Sequence, residues 1–254
     1  MVHYIKKGMK GIKATDILEP VLSLLFPNRC VFCGDILEGS CCICDECVLK
    51  IELINMPFCQ RCGAPLYNPA MKSGVCRQCQ DLEFQFHRNE SLGVFTGILR
   101  DLIHLYKFNK RRSLHRTFTA LVLRYKREYI ENHDLLMPVP LTAVRYSERG
   151  FNQSSLIAEE ISKSVQIPCL RDCLQRTGVS RPQSSIGSIR ERIDNLTDRF
   201  QVREKYRELV MEKNILVIDD VLTTGATSSA CARALYDEGA GRVRVLTLAR
   251  AIKE

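Results

Sequence analysis

Ile215-Leu-Val-Ile-Asp-Asp-Val-Leu-Thr-Thr-Gly-Ala-Thr227 is the stretch on which the reading of this chain turns. Ile215 to Ile218 is a short run that is apolar at every position, the pattern of a parallel strand covered on both faces. Two adjacent acids follow, then a loop of small residues. A helical pattern through Ala230, Ala234 and Leu235 comes next and stops before Gly239 and Gly241. Open α/β sheets bind ligands at the carboxyl ends of their strands, so this loop lies where a site belongs. Thr223, Thr224, Gly225, Ala226 and Thr227 supply backbone N–H groups, three hydroxyls and a glycine that lets the backbone approach an anion closely. The helix N-terminus behind them adds positive potential, and together these features make an anion cradle. Asp219 and Asp220 stand beside it, placed for sugar hydroxyls or a magnesium ion. The plainer reading is a capped helix, because Asp and Thr cap and Gly turns. Capping leaves two tandem acids at the end of an apolar strand unexplained.

Working outward, Leu135 to Val139 and Val243 to Leu248 read as further buried strands. Ile157, Ile161 and Val165 fall at helical spacing, and an extended piece near Gly93 leads into a helix with Ile98, Leu102 and Leu105 on one side. Strands alternating with helices predict an α/β fold, mainly a parallel sheet flanked by helices. A length of 254 residues, 45% of them hydrophobic, suffices for one ordinary core plus a small extra module. The expected division is a short amphipathic helix and basic N-terminus over 1–27, a cysteine-rich module over 28–82, and the α/β domain over 83–254.

Of 13 cysteines, ten lie between Cys30 and Cys79. C-x-x-C pairs occur at Cys30/Cys33, Cys41/Cys44, Cys44/Cys47, Cys59/Cys62 and Cys76/Cys79, whereas random placement gives fewer than one. Two thiolates three residues apart on a tight turn point at one ion, and two such turns close a tetrahedral site. Gly34 and Gly63, each just after a pair, suit those turns. The lesser alternatives are a disulfide framework, which needs an oxidising compartment, and a thioredoxin-like redox pair, which needs a βαβ context. Cys30, Cys33, Cys44, Cys47, Cys59, Cys62, Cys76 and Cys79 provide ligands for one or two structural zinc ions. The pairs close either sequentially or interleaved, and spacing does not choose. The register at Cys41 and Cys42 is open as well. Cys169, Cys173 and Cys231 read as ordinary buried thiols.

With 37 Lys+Arg against 29 Asp+Glu, the net charge of +8 suits an anionic partner, although a solvated basic surface is the plain alternative. Lys6, Lys7, Lys10 and Lys13 precede only a short apolar run, Val21 to Phe26, which is too short for a signal peptide core or a membrane span. No membrane insertion and a cytoplasmic location are expected. Arg149-Gly-Phe-Asn-Gln153 is rich in donors and runs into the helix after it. Arg149, Asn152 and Gln153 are candidates for pyrophosphate or a nucleic-acid phosphate, with Asn152 equally readable as a helix cap. Lys107 belongs to a basic cluster with Lys110, Arg111, Arg112 and Arg116, either charged surface or a phosphate contact. Phe84, Phe86, Phe95, Tyr106 and Phe108 are core residues or stacking surfaces. His104 and His115 read as structural.

The run Ile215 to Thr227 resembles the phosphoribosyl pyrophosphate (PRPP) signature of type I phosphoribosyltransferases. Over nearly the whole chain, in order, Leu25-Phe26-Pro27, the Cys-x-x-Cys pairs, Leu105-Tyr-Lys-Phe108, Met137-Pro-Val-Pro-Leu141, Arg149 to Gln153, Arg181-Pro-Gln-Ser184 and Arg190 to Asn195 resemble the ComF family. The resemblance implies a cysteine zinc module joined to a phosphoribosyltransferase-like domain. Asp219 and Asp220 would then meet the ribose hydroxyls, and Thr223 to Thr227 would hold the 5-phosphate, with magnesium accompanying PRPP. Arg181 to Arg199 would be a flap closing over substrate, or else a solvated loop. It also implies natural competence and DNA uptake, with single-stranded DNA and a competence helicase as candidate partners. The alternative is a phosphoribosyltransferase acting on a small base or amine, unrelated to DNA. No general base is evident for either.

Overall fold

The computed structural model describes residues 28–39, 41–55, 57–66, 74–109, 111–177 and 200–252. The expected N-terminal helix, Leu25 to Pro27, Lys110, and the Arg181 to Arg199 segment with its two motifs lie outside these residues.

Strands β1 (Arg88–Val94), β2 (Leu135–Pro138), β5 (Asn214–Leu222) and β6 (Arg242–Arg250) form one sheet in the order β1-β6-β5-β2, with every pairing parallel. Between β2 and β5, strands β3 (Leu174–Arg176) and β4 (Phe200–Val202) make a separate antiparallel pair. The longer helices are α1 (Gly97–Phe108), α2 (Leu114–Glu131), α3 (Ala143–Arg149), α4 (Gln153–Val165) and α5 (Ala226–Tyr236). The expected parallel α/β architecture is therefore present, and its middle strands are apolar at successive positions because both faces are covered. Ile215, Val217, Val243 and Val245 enter one core with Leu135, Met137 and the alanines of α5. Leu216, Ile218, Leu246 and Leu248 enter the other with α1, α2 and α4. Successive side chains of a strand point to opposite faces, so one run feeds two cores.

Two helices depart from expectation. Helix α2 occupies sequence read only for its basic start, yet Leu114, Phe118, Leu121, Val122, Tyr129 and Ile130 are buried along it. In α1 the buried face is Leu99, Leu102, Ile103 and Tyr106; Ile98 and Leu105 are only partly covered. The apolar stripe of α1 is broad, and packing on the sheet chooses its centre.

The cysteine-rich segment wraps the sheet. Leu53 bridges Gly93 antiparallel, Ile54 N–H donates to the Leu92 carbonyl at 3.0 Å, and Val94 N–H donates to the Glu52 carbonyl at 2.8 Å. Further along the same edge, Asn89 N–H donates to the Arg61 carbonyl at 2.9 Å. The open edge of β1 is thereby covered, and an uncovered edge would invite pairing with other chains. Cys30 and Cys47 belong to one core, and Cys59, Cys62 and Cys79 to the other.

Candidate functional site

Two clusters of four thiols stand on opposite faces of the sheet: Cys30, Cys33, Cys44 and Cys47, then Cys59, Cys62, Cys76 and Cys79. The pairs thus close sequentially, which spacing alone left open. Within each set the sulfurs lie within 4.8 Å of one another; Cys33 and Cys44 are 3.5 Å apart, Cys62 and Cys76 3.7 Å. Four sulfurs at about 2.3 Å from a tetrahedral zinc stand roughly 3.8 Å apart, so both sets fit the ion. All 13 cysteines are unbridged. Each first pair sits on a tight turn, Gly34 N–H donating to the Cys30 carbonyl at 3.0 Å and Gly63 N–H to the Cys59 carbonyl at 2.9 Å. Backbone amides also point at sulfur: Cys47 N–H at Cys44 and Cys76 N–H at Cys59, both at 3.4 Å. Such bonds stabilise thiolates. With four thiols per site and no open position, the clusters suit structural zinc. Cys41 and Cys42 belong to neither set.

At the carboxyl end of β5, Asp219 and Asp220 line a cleft of about 390 Å³ together with Thr223, Thr224, Ala226 and Thr227. The acids therefore face the loop. Asp219 Oδ1 accepts from the Asp220 N–H at 2.8 Å and from the Ser154 hydroxyl at 3.4 Å. Burial, and secondarily the charge of Asp220, push its carboxyl up to about 7. Asp220 pairs with Lys107 Nζ at 2.7 Å, and both side chains are largely covered. Gly225 caps α5 in the left-handed region, at φ 79°, with no side-chain capping bond. A Cβ there would lie 2.6 Å from the Phe84 ring, so only glycine fits. Among the described residues no acceptor meets the N–H groups of Thr224, Gly225, Thr227 or Ser228; only the Ala226 N–H is engaged, weakly, by Thr224 Oγ1 at 3.4 Å. The positive end of α5 is thus aimed into the cleft.

Lys107 and Arg149 reach this cleft, where they meet Arg145 and Arg176, two cations that sequence reading missed. Arg145 stands one helical turn before Arg149 on α3, a spacing that could have disclosed it. Arg176, at the end of a three-residue strand, carries no local signal. Arg149 donates to Gln153 Oε1 at 3.1 Å, and its guanidinium lies 5.8 Å from the ring of Phe108, which is 66% exposed. Gln153 is fully buried, so here it orients Arg149. Asn152 caps α4: its Oδ1 accepts from the Ser154 and Ser155 N–H groups at 3.0 and 3.3 Å, and its Nδ2 donates to the Val139 carbonyl at 3.0 Å. Of the aromatic candidates, Phe86 and Tyr106 are buried, and Phe84 stacks on Phe86 at 4.7 Å. His104 sits between the rings of Phe95 and Phe108. A wider cleft of about 970 Å³ adjoins the first, sharing Pro140, Leu141, Thr142 and Arg176.

A parallel sheet with paired acids and an amide-lined loop at its strand ends, wrapped by two four-thiol sites, defines the class: a parallel α/β protein with an N-terminal cysteine-rich module of the metal-binding kind. Residues 21–80 match the double zinc ribbon domain family. The chain is 28% identical over 232 residues to Competence protein F of Haemophilus influenzae, covering 89% of this chain and 98% of the relative. It is 28% identical to Competence protein ComFC of Bacillus subtilis (82% and 84%) and 28% identical to DNA utilization protein YhgH of Escherichia coli K12 (90% and 100%). Over most of its length the chain is thus similar to proteins named for competence and DNA utilization. Among solved structures, it aligns with a glutamine PRPP amidotransferase from B. subtilis complexed with ADP and GMP at 18% identity and a TM-score of 0.38, covering 57% of this chain and 30% of that one. Among the described residues no helix is long and apolar enough to cross a membrane.

Proposed function

We propose that the chain binds PRPP with magnesium at Asp219 to Thr227 and acts on or with single-stranded DNA during DNA uptake. The observation that carries the sugar-phosphate part is the acid pair beside a loop and helix start where the amides of Thr224, Gly225, Thr227 and Ser228 have no acceptor among the described residues. Thr223 to Thr227 take the 5-phosphate, and Asp219 and Asp220 take the ribose hydroxyls. Magnesium, when bound with PRPP, neutralises the pyrophosphate, and Lys107, Arg145 and Arg149 supply further positive charge at the same cleft. In a transfer reaction a nitrogen nucleophile forms the new bond to the anomeric carbon as the bond to pyrophosphate breaks. The site then works by positioning and charge stabilisation. The acceptor would enter by the wider cleft beside Tyr146. The DNA part is supported by relatives named for competence and DNA utilization, by the net charge of +8, and by exposed Phe108 beside Arg149.

The test is incubation with PRPP, magnesium and a panel of bases, amines and DNA oligonucleotides, with release of pyrophosphate as the readout. Release with oligonucleotides alone supports the DNA reading; release with a small base or amine alone supports the transferase unrelated to DNA. The doubly substituted chain, Asp219→Asn with Asp220→Asn, is expected to lose PRPP binding by calorimetry while keeping its fold. Undiminished affinity in that chain would remove the site.

A further inference from the structure

Arg250, at the last position of β6, is 3% exposed and has no carboxylate partner among the described residues. A buried cation is costly unless its hydrogens are bonded, so the acceptors it holds are informative. Its guanidinium donates to the Leu222 carbonyl at 3.0 Å, the Thr223 carbonyl at 2.7 Å and the carbonyl of Ala251. Its other terminal nitrogen donates to Gln78 Oε1 at 3.2 Å. Leu222 and Thr223 are where the strand turns into the phosphate loop. Gln78 stands between Cys76 and Cys79, within the second thiol cluster. One side chain therefore ties the start of the loop to that cluster.

Four further contacts run the same way. Arg61, between Cys59 and Cys62, donates to the carbonyls of Cys79 and Leu82 at 3.0 and 3.1 Å, fixing the chain as it leaves the cluster. Phe84 then lies against Gly225, and the Gln85 N–H donates to Ser229 Oγ on α5 at 2.8 Å. Among the described residues no hydrogen bond of this kind joins the first cluster to the loop; Cys30 and Cys47 pack with α1 and α2 on the other face.

We propose that the second cluster is part of the scaffold of the phosphate loop and that Arg250 is the positioning residue joining them, so that metal occupancy of Cys59, Cys62, Cys76 and Cys79, and not of the first cluster, sets loop order and phosphate affinity. The affinity half rests on the PRPP reading; the loop-order half does not.

The experiment combines hydrogen exchange of the 254-residue chain without ligand, zinc content, and PRPP titration with magnesium. Arg250→Met is expected to keep both ions and speed exchange of the amides from Leu222 to Thr227 about tenfold, with a similar loss of PRPP affinity, as for losing one or two bonds to a charged group. Arg250→Lys should recover part of both. Cys76→Ser should lose one ion and reproduce the loop effect, whereas Cys33→Ser should lose one ion and leave loop exchange as in the parent. If Cys76→Ser fails to fold, Gln78→Ala, which keeps every thiol, carries the comparison with a smaller rise. Unchanged loop exchange in folded Arg250→Met, or equal effects from Cys33→Ser and Cys76→Ser, overturns the proposal. If exchange responds as expected but the parent chain does not bind PRPP, the ligand assignment fails and the coupling stands.

Discussion

Asp219 carries opposite demands. Without ligand its carboxyl is pushed up to about 7 by burial and by Asp220, against the help of the Asp220 amide, Lys107 and Ser154. A carboxyl raised above its ordinary 3.8 favours the folded state in its protonated form. That contribution is complete below the unfolded value and is lost as pH rises through about 7. Sugar hydroxyls and magnesium want the ionised form. Ligand affinity should therefore rise through the same interval in which the free chain loses stability. Asp219→Asn keeps the shape and removes the titration. Its melting temperature without ligand should lie close to the parent's near pH 4 and exceed it increasingly up to pH 8, by about 2–4 °C for each kcal/mol relieved. Thermal scans at the two pH values decide this, and an equal difference at both would contradict it. These acids were legible because strand, acids and loop are contiguous in sequence. Arg250 was not: its role exists only once β6 pairs with β5 and brings it to Gln78, 172 positions away. Gln153 was legible as polar, but nothing local foretells that it would be buried and bonded to Arg149.

Among elements, the join between the cysteine-rich segment and β1 leaves little room for change. A Cβ at Gly93 would stand 2.7 Å from the Glu52 carbonyl oxygen and 2.8 Å from a Leu99 methyl. Backbone on one side and a core side chain of α1 on the other leave little room to yield. Gly93→Ala should destabilise the chain by about 1–3 kcal/mol, the usual cost of overpacking. Urea unfolding reads this as a lower midpoint, with concentration-dependent association if residues 52–54 lift and expose the edge. An unchanged midpoint would mean that the bridge is dispensable. Strands β5 and β6 and helices α4 and α5 were legible because each carries its own period. The start of β1 was not, as Arg88, Asn89, Glu90 and Ser91 are polar; Asn89 and Ser91 are nonetheless buried, bonded to each other at 3.0 Å, with Ser91 meeting Thr247 at 2.7 Å. Polar residues satisfied inside a sheet leave no hydrophobic trace in the sequence.

At the scale of the whole molecule, a division into a module over 28–82 and a domain over 83–254 meets cores that ignore it. Each thiol cluster contributes to a core built mostly from the sheet and its helices. Ligands that converge only in the folded chain make metal-binding free energy a part of folding free energy. If the thiols held only a detached appendage, chelation would melt that appendage and leave the sheet intact. Because the segment also closes the β1 edge and is bonded through Gln78 and Arg250 to the Leu222 and Thr223 carbonyls, loss of both ions should lower the stability of the entire described structure. The zinc-loaded chain is therefore expected to unfold in one transition, coincident in far-ultraviolet circular dichroism and in tyrosine fluorescence, the chain having no tryptophan. Chelation should move that transition down as a unit and promote association through the bared edge. Two separated transitions, with the later one indifferent to chelator, would show instead that the sheet stands without its wrapping, and the coupling of metal to phosphate loop would lose its physical basis.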